Sequence, residues 1–195
     1  MDLLSSIIRQ FNWVDIFCII LLLRIGYIAF KNGVVLEFFK FLGTLLAIYI
    51  AMHYYTALSD FLGERFGIDK KMPLEFLDFA CFMLLAIIAY LAGTLFRQAF
   101  SRLIKLEAVP MLNRWGGFVI GLARTLLLTG LIAFILSIST IKYLHDKVGD
   151  SYFGARLIKV ASVTYSRIWY GFMSKFMTGE KFNKNALEVQ KDFNP

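Results

Sequence analysis

Residues 114–139 read RWGGFVIGLARTLLLTGLIAFILSIS, a stretch with two arginines and no acid. A helix rises ~1.5 Å per residue and must cover ~30 Å of hydrocarbon, so this run is long and apolar enough to span a bilayer, from about Trp115 to Ser139. Gly117, Gly121, Thr125, Thr129, Ala133 and Ser137 recur along it every fourth residue, opening as a GxxxG pair. Helices in lipid gain nothing hydrophobic by touching and associate where small residues let backbones approach. The stripe therefore reads as a packing seam, facing either another helix of this chain or another subunit. Its rival reading is a pore or sliding surface lined by Thr125 and Thr129.

Three further spans lie upstream, from about Trp13 to Phe30, Val34 to Tyr54 and Phe76 to Phe96. The fold class is all-α integral membrane protein, with four transmembrane helices in two hairpins plus a C-terminal amphipathic interfacial helix. Composition agrees: 58% of the 195 residues are hydrophobic and 18% charged, against ~45–50% and ~25% in soluble domains. An ordinary soluble enzyme is excluded. The first span is not expected to be a cleaved signal peptide, because only Arg9 precedes it and no small-residue cleavage site follows. Lys and Arg outnumber Asp and Glu by 21 to 14, a net +7. These cations flank apolar blocks, which suits a lipid bilayer with anionic headgroups and not nucleic acid. Cys18 and Cys81 fall inside apolar blocks as membrane-buried thiols, neither a disulfide framework nor a metal site.

After the membrane domain, residues 1–139, come a tail over 140–178 and a polar end over 179–195. Leu157, Ala161, Tyr165, Ile168, Phe172 and Phe176 share one helical face, and Arg156, Lys159, Arg167 and Lys175 the other. Such a helix lies in the headgroup plane; the plainer alternative is a helix packed onto a soluble partner. The polar end carries no obvious core and is expected to fray.

Orientation follows from the basic loops. The link after span three carries Arg97, Arg102, Lys105 and Arg114 almost without acids. In the loop after span two, by contrast, Arg65, Lys70 and Lys71 are offset by Asp60, Glu64, Asp69 and Glu75. Both termini are therefore expected outside the cytoplasm. Alternating span direction sorts the polar residues: Asp15, Asp78 and the His53, Tyr54, Tyr55 cluster to one end, Glu37, Lys40, Arg97, Arg114 and Arg124 to the other. Intramembrane charges cost ~2.5–3.5 kcal/mol each by insertion scales, so each needs a reason. Glu37 is expected to pair with Arg124 or Lys40, and Arg24, ~16 Å along the first span, to face the bundle interior or water. Lys40 and Arg97 are read as snorkelling to headgroups. His53 beside two tyrosines reads as an interfacial belt, with a proton-sensing or substrate-contacting role as the sharper alternative. With two histidines, and no HExxH, G-x-S-x-G or phosphate-cradling loop, catalysis has little support and no cofactor is expected.

Three runs carry a resemblance: FKNGVVLEFFKFLGTLLAIY (30–49), AMHYYTALS (51–59) and LNRWGGFVIGLARTLLL (112–128). With Asp15 at the start of span one, they resemble the CvpA family, named for colicin V production proteins, over about residues 13 to 138. Gly33, Gly117, Gly121, Arg114 and Arg124 match. The family's usual Arg-Gly hairpin is here Asn32-Gly33, its Asp-Arg is Asn113-Arg114, and its later Arg-Gly is Arg124-Thr125. The resemblance implies a bacterial inner (plasma) membrane protein of four spans, linked to colicin V (toxin) production or export and to envelope homeostasis. Some relatives carry a serine protease domain beyond the membrane part; the short tail here carries no protease motif, and no protease activity is expected. Two functions compete. One is a non-enzymatic membrane protein acting through helix–helix contacts with envelope or secretion proteins. The other is a small homo-oligomeric channel or transporter with Arg24, Arg124, Thr125 and Thr129 along a polar path. An inverted repeat would favour the second, and the two hairpins echo one another only in placing an acid near the outer end and cations near the turn.

Overall fold

The computed structural model describes residues 11–67, 72–101 and 110–193. Arg9, Asp69, Lys70, Lys71, Arg102 and Lys105 lie outside the described residues. Four long helices, α1 (Trp13–Asn32), α2 (Val34–Phe66), α3 (Leu74–Ser101) and α4 (Pro110–Ser137), are each long and apolar enough to cross a membrane. No strand occurs among the described residues, and the protein is an all-α membrane protein.

Local chemistry sets the ends of α1. Asn12 caps it, its Oδ1 accepting from Val14 N at 2.8 Å, while the Asp15 carboxylate accepts from Asn12 N at 2.9 Å. This reciprocal pair satisfies two of the amide donors that a helix start leaves free. Gly33 alone separates α1 from α2, at φ 81°, a conformation that L side chains rarely adopt. Sequence reading ended the second span at Tyr54, but α2 runs three turns further. Among the residues from Tyr54 to Phe66 only Gly63 weakens a helix, and the left-handed Gly67 (φ 61°) is where it stops.

The spans alternate in direction as two successive hairpins, yet the main packing pairs are different ones. α1 packs chiefly on α4, and α2 packs on α3 and α4. The order across the bundle is α1, α4, α2, α3. Its core is aromatic where three helices meet: Tyr55 of α2, Phe82 of α3 and Phe134 of α4 stand with ring centroids 5.1 to 6.5 Å apart. Offset and edge-on rings at such distances contribute ~0.5–1.5 kcal/mol per pair beyond burial.

The tail comprises α5 (Lys142–Asp150), α6 (Gly154–Ile168) continued by a π turn (Trp169–Met173) and one α turn (Ser174–Phe176), and α7 (Asn185–Asp192). α6 lies across α4, burying Leu157, Ile158, Ala161, Tyr165 and Trp169. The helices approach at Gly130, where a Cβ would stand 2.7 Å from the Leu157 carbonyl oxygen. The apolar face expected to rest on headgroups is thus covered by protein as far as Trp169. Beyond it the π turn inserts a residue and rotates the register by about 100°, so Phe172 and Phe176 point outward, 57% and 70% exposed.

The polar end differs from the fraying expected of it. Residues 180–193 fold back onto the bundle, with Ala186 fully buried and Val189 and Phe193 against the core. Specific polar contacts hold this segment, and they belong to the site described next.

Candidate functional site

At the hairpin end of the bundle lies a buried ion-pair hub. Glu37, in the first turns of α2, is fully buried. Its Oε1 stands 2.7 Å from Lys40 Nζ and accepts from Asn32 Nδ2 at 2.7 Å; its Oε2 lies 3.0 Å from Arg124 Nη2 of α4. Both of the pairs weighed from the sequence therefore exist together. The Arg124 contact is a charge pair and not an aligned hydrogen bond, and Arg124 Nε has no acceptor among the described residues. Charges taken out of water in this way depend on each other, because removing either strands the other in a low-dielectric interior.

The seam on α4 is what allows the hub to close. Gly117, Gly121, Thr125, Thr129, Ala133 and Ser137 are all buried within this chain. A Cβ at Gly117 would meet Gly33 C at 2.7 Å and Ala29 O at 2.8 Å, and one at Gly121 would overlap the Ala29 methyl. α1 is thereby seated on α4, with Glu37 Oε2 beside Gly121. Thr125 and Thr129 donate to their own helix, at Gly121 O and Thr125 O, 2.8 and 2.7 Å. Both hydroxyl protons are thereby committed to the backbone of α4, while the two side chains border a small apolar pocket with Cys18, Leu22 and Leu157. Asn113 completes the turn: its Oδ1 accepts from Val34 N at 2.8 Å and so caps α2 from another helix. The family's Asp at this position would accept the same bond, so the change to Asn keeps the cap and loses the charge.

At the opposite end the returning tail is latched onto α1 and α2. Asp15 is fully buried, and its oxygens accept from Phe153 N at 2.8 Å and Tyr152 N at 3.2 Å, amides at the start of α6. A carboxylate there also meets the positive end of the helix dipole. His53 is buried between two rings, Tyr49 and Trp169, at centroid distances of 5.3 and 4.8 Å. Its Nδ1 lies 2.9 Å from the Tyr165 hydroxyl and its Nε2 2.5 Å from Glu180 Oε2. The Glu180 carboxylate only accepts, so His53 Nε2 carries a proton and donates to it; in the neutral imidazole Nδ1 then accepts from the Tyr165 hydroxyl, whose oxygen accepts from Asn183 N. Burial, with the charges of Tyr170, Glu180 and Tyr54 nearby, pushes the Tyr165 phenol up to about 12, offset by the Asn183 amide. It remains a donor at neutral pH. Asn183 Nδ2 reaches Met52 O at 2.9 Å and Thr56 Oγ1 at 3.1 Å, and fixes the strap to α2. His53 is thus a member of a buried network and not of an interfacial belt.

Of the two placements expected for Arg24, the bundle interior and water, the interior is not the one found. Arg24 is the twelfth residue of α1 and stands exposed on the outward face with Ile20, Leu23 and Tyr27, without an ion pair or hydrogen bond among the described residues. Only the inward face of α1, with Ile25, Gly26 and Ala29, meets the bundle. Arg114 is likewise exposed, at the start of α4. Arg97 and Lys40 flank the α2–α3 crossing, and of the two readings of Lys40, snorkelling and pairing with Glu37, the structure shows the pair. Sequence reasoning gave no role to Asn12, Asn113, Asn183 or Glu180. An N-x-x-D pattern before the first apolar run marks Asn12, but the other three act across long sequence separations. No three His, Cys, Asp or Glu among the described residues come together to hold a metal ion.

A bundle of four spans, stitched by a buried ion-pair hub at one end and a folded-back tail at the other, defines a polytopic helical membrane protein. Residues 14–162 match the family model described as Colicin V production protein, and the chain belongs to that family. No curated protein and no solved structure matches it. The matched region contains the hub, the seam and Asp15 and ends within α6, before Tyr165, Glu180 and Asn183.

Proposed function

We propose that this protein is a non-enzymatic component of the bacterial inner membrane that supports colicin V-type toxin production or export and envelope homeostasis through contacts with envelope or secretion proteins. The observation that carries this reading is Arg24. A guanidinium on the lipid-facing side of an apolar span costs ~2.5–3.5 kcal/mol near mid-bilayer, and it is offset when a partner helix brings a carboxylate to it. The other deep polar groups, Glu37, Arg124, Asp15 and His53, are engaged inside the chain and hold its helices together. With both termini outside the cytoplasm, the outward Tyr170, Phe172 and Phe176 would sit among the headgroups next to Lys175. The seam is largely covered by α1 and α6, and the apolar pocket of about 70 Å³ left beside Thr125 and Thr129 is too small to line a channel of one chain.

The test places a photo-crosslinking residue at Ile20, one turn from Arg24, in toxin-producing cells that lack the native copy. A discrete adduct to another membrane polypeptide, and loss of both the adduct and toxin export in Arg24→Leu, is the expected result. An undiminished adduct and undiminished export in Arg24→Leu would contradict the reading.

A further inference from the structure

The end of the bundle that carries the latch also holds a cavity of about 570 Å³, walled by the top of α2, the start of α3, the turn after α4, α5 and α7. Its size is that of a small-molecule site, in the range ~300–1,000 Å³. Four carboxylates line it, Glu75, Asp78, Glu188 and Asp192, with no lysine or arginine among the described residues. None of the four is ion-paired to a described residue, although Ser59 donates to Asp78. At the wall of the same cavity stands Tyr55, 3% exposed, its ring fixed against Phe82 and Phe134. The Tyr55 hydroxyl makes no hydrogen bond to any described residue, and the Asp78 and Glu188 carboxylates are near enough for their charges to act on it. The phenol ring is enclosed by protein while its hydroxyl, unbonded to any described residue, opens onto carboxylates that no described cation neutralises, and so offers a fixed polar group to a ligand.

We infer that this cavity binds an elongated organic cation, a linear di- or polyamine. The carboxylates and histidine do not converge in threes on a point that a single metal ion could occupy, and the space far exceeds one ion. Separated ammonium groups match separated carboxylates. Glu188 and Asp192 are exposed at the rim and Asp78 is half-buried, so negative potential draws a cation inward. Between them the side chains of Phe193 and Val189 offer apolar surface for methylenes. His145 adds a polar group: its Nδ1 is engaged with Ser137 O at 2.7 Å, which only accepts, so Nε2 is the nitrogen left over. The inference is independent of the role proposed above, since neither Arg24 nor the hub contributes to the cavity.

The probe is spermidine, titrated calorimetrically into the full chain in neutral phosphatidylcholine nanodiscs, with empty nanodiscs as blank and magnesium chloride as a competitor at equal charge. Saturable binding at one site per chain is expected, resistant to magnesium and weakened about tenfold or more by Asp78→Asn. The rim variant Glu188→Gln with Asp192→Asn, whose side chains are exposed and leave the bundle's packing intact, should weaken it similarly while leaving the spermidine-free unfolding midpoint unchanged. Non-saturable binding, full displacement by magnesium, or equal affinity in the rim variant would overturn the assignment.

Discussion

The two ends of this bundle are held in opposite ways. At the hairpin end, three full charges and the Asn32 carboxamide close on one another, Asn113 caps α2 beside them, and Glu37 and Arg124 are at most 6% exposed. At the other end the contacts are hydrogen bonds and stacked rings made by a returning tail, and the one carboxylate bound to His53 is 39% exposed. The first arrangement is stiff because its parts cannot be separated without stranding a charge in the bilayer. The second rests on hydrogen bonds in which the carboxylates of Asp15 and Glu180 meet amides and an imidazole and face no buried cation of the spans, so water can replace them one at a time. A single bundle thus joins a fixed end to an end that can open locally without unfolding the rest.

Substitutions can break this contrast in graded steps. Glu37→Leu should have the largest effect, on the order of 3–5 kcal/mol, because it leaves Arg124 buried and unpaired; reversible unfolding in mixed micelles measures it. A charge swap, Glu37→Lys with Arg124→Glu, should rescue poorly, since the new lysine would face Lys40. Next comes Gly121→Leu, which drives a side chain into Ala29 and should lower stability by about 1–3 kcal/mol or more. As the seam is internal, native mass spectrometry should show the same subunit number as wild type. Asn183→Ala should be milder, about 1 kcal/mol, and confined: hydrogen exchange should rise over residues 180–192 and stay unchanged over α1 and α4.

The smallest effect concerns pH. The Tyr165 phenol is raised to about 12 in the folded protein from ~10 in an unfolded chain, so the folded state holds this proton more tightly. Its contribution is complete below about pH 10 and is lost as pH rises through about 12. Trp169 fluorescence, read in a Trp13→Phe, Trp115→Phe background, should report release of the tail in that window, and Tyr165→Phe should remove the transition.

The four spans were legible because each is an unbroken apolar run of membrane length, and the Glu37 pairings because alternating direction brings those residues to one depth. That Arg24 turns away from the bundle interior was not legible, for a physical reason. α1 is apolar on every side, so no contrast between faces tells which one turns toward α4; that is decided by small residues such as Ala29, which fit the seam of a helix ninety residues away. The tail misled in two places. The outward turn of Phe172 and Phe176 depends on a π turn for which residues 169–173, WYGFM, carry no distinctive signal. The docking of Asn183 and Glu180 depends on Met52, His53 and Tyr165 being already in place, and a polar segment read alone offers only its polarity.

The most direct test of the fixed hub is a double-mutant cycle at Glu37 and Arg124 in nanodiscs, following unfolding of wild type, Glu37→Leu, Arg124→Leu and the double variant. If the pair is mutually dependent, each single change should cost several kcal/mol and the double variant should be no less stable than either single, a coupling well above ~1 kcal/mol. Additive losses, with the double variant the least stable of the four, would contradict it.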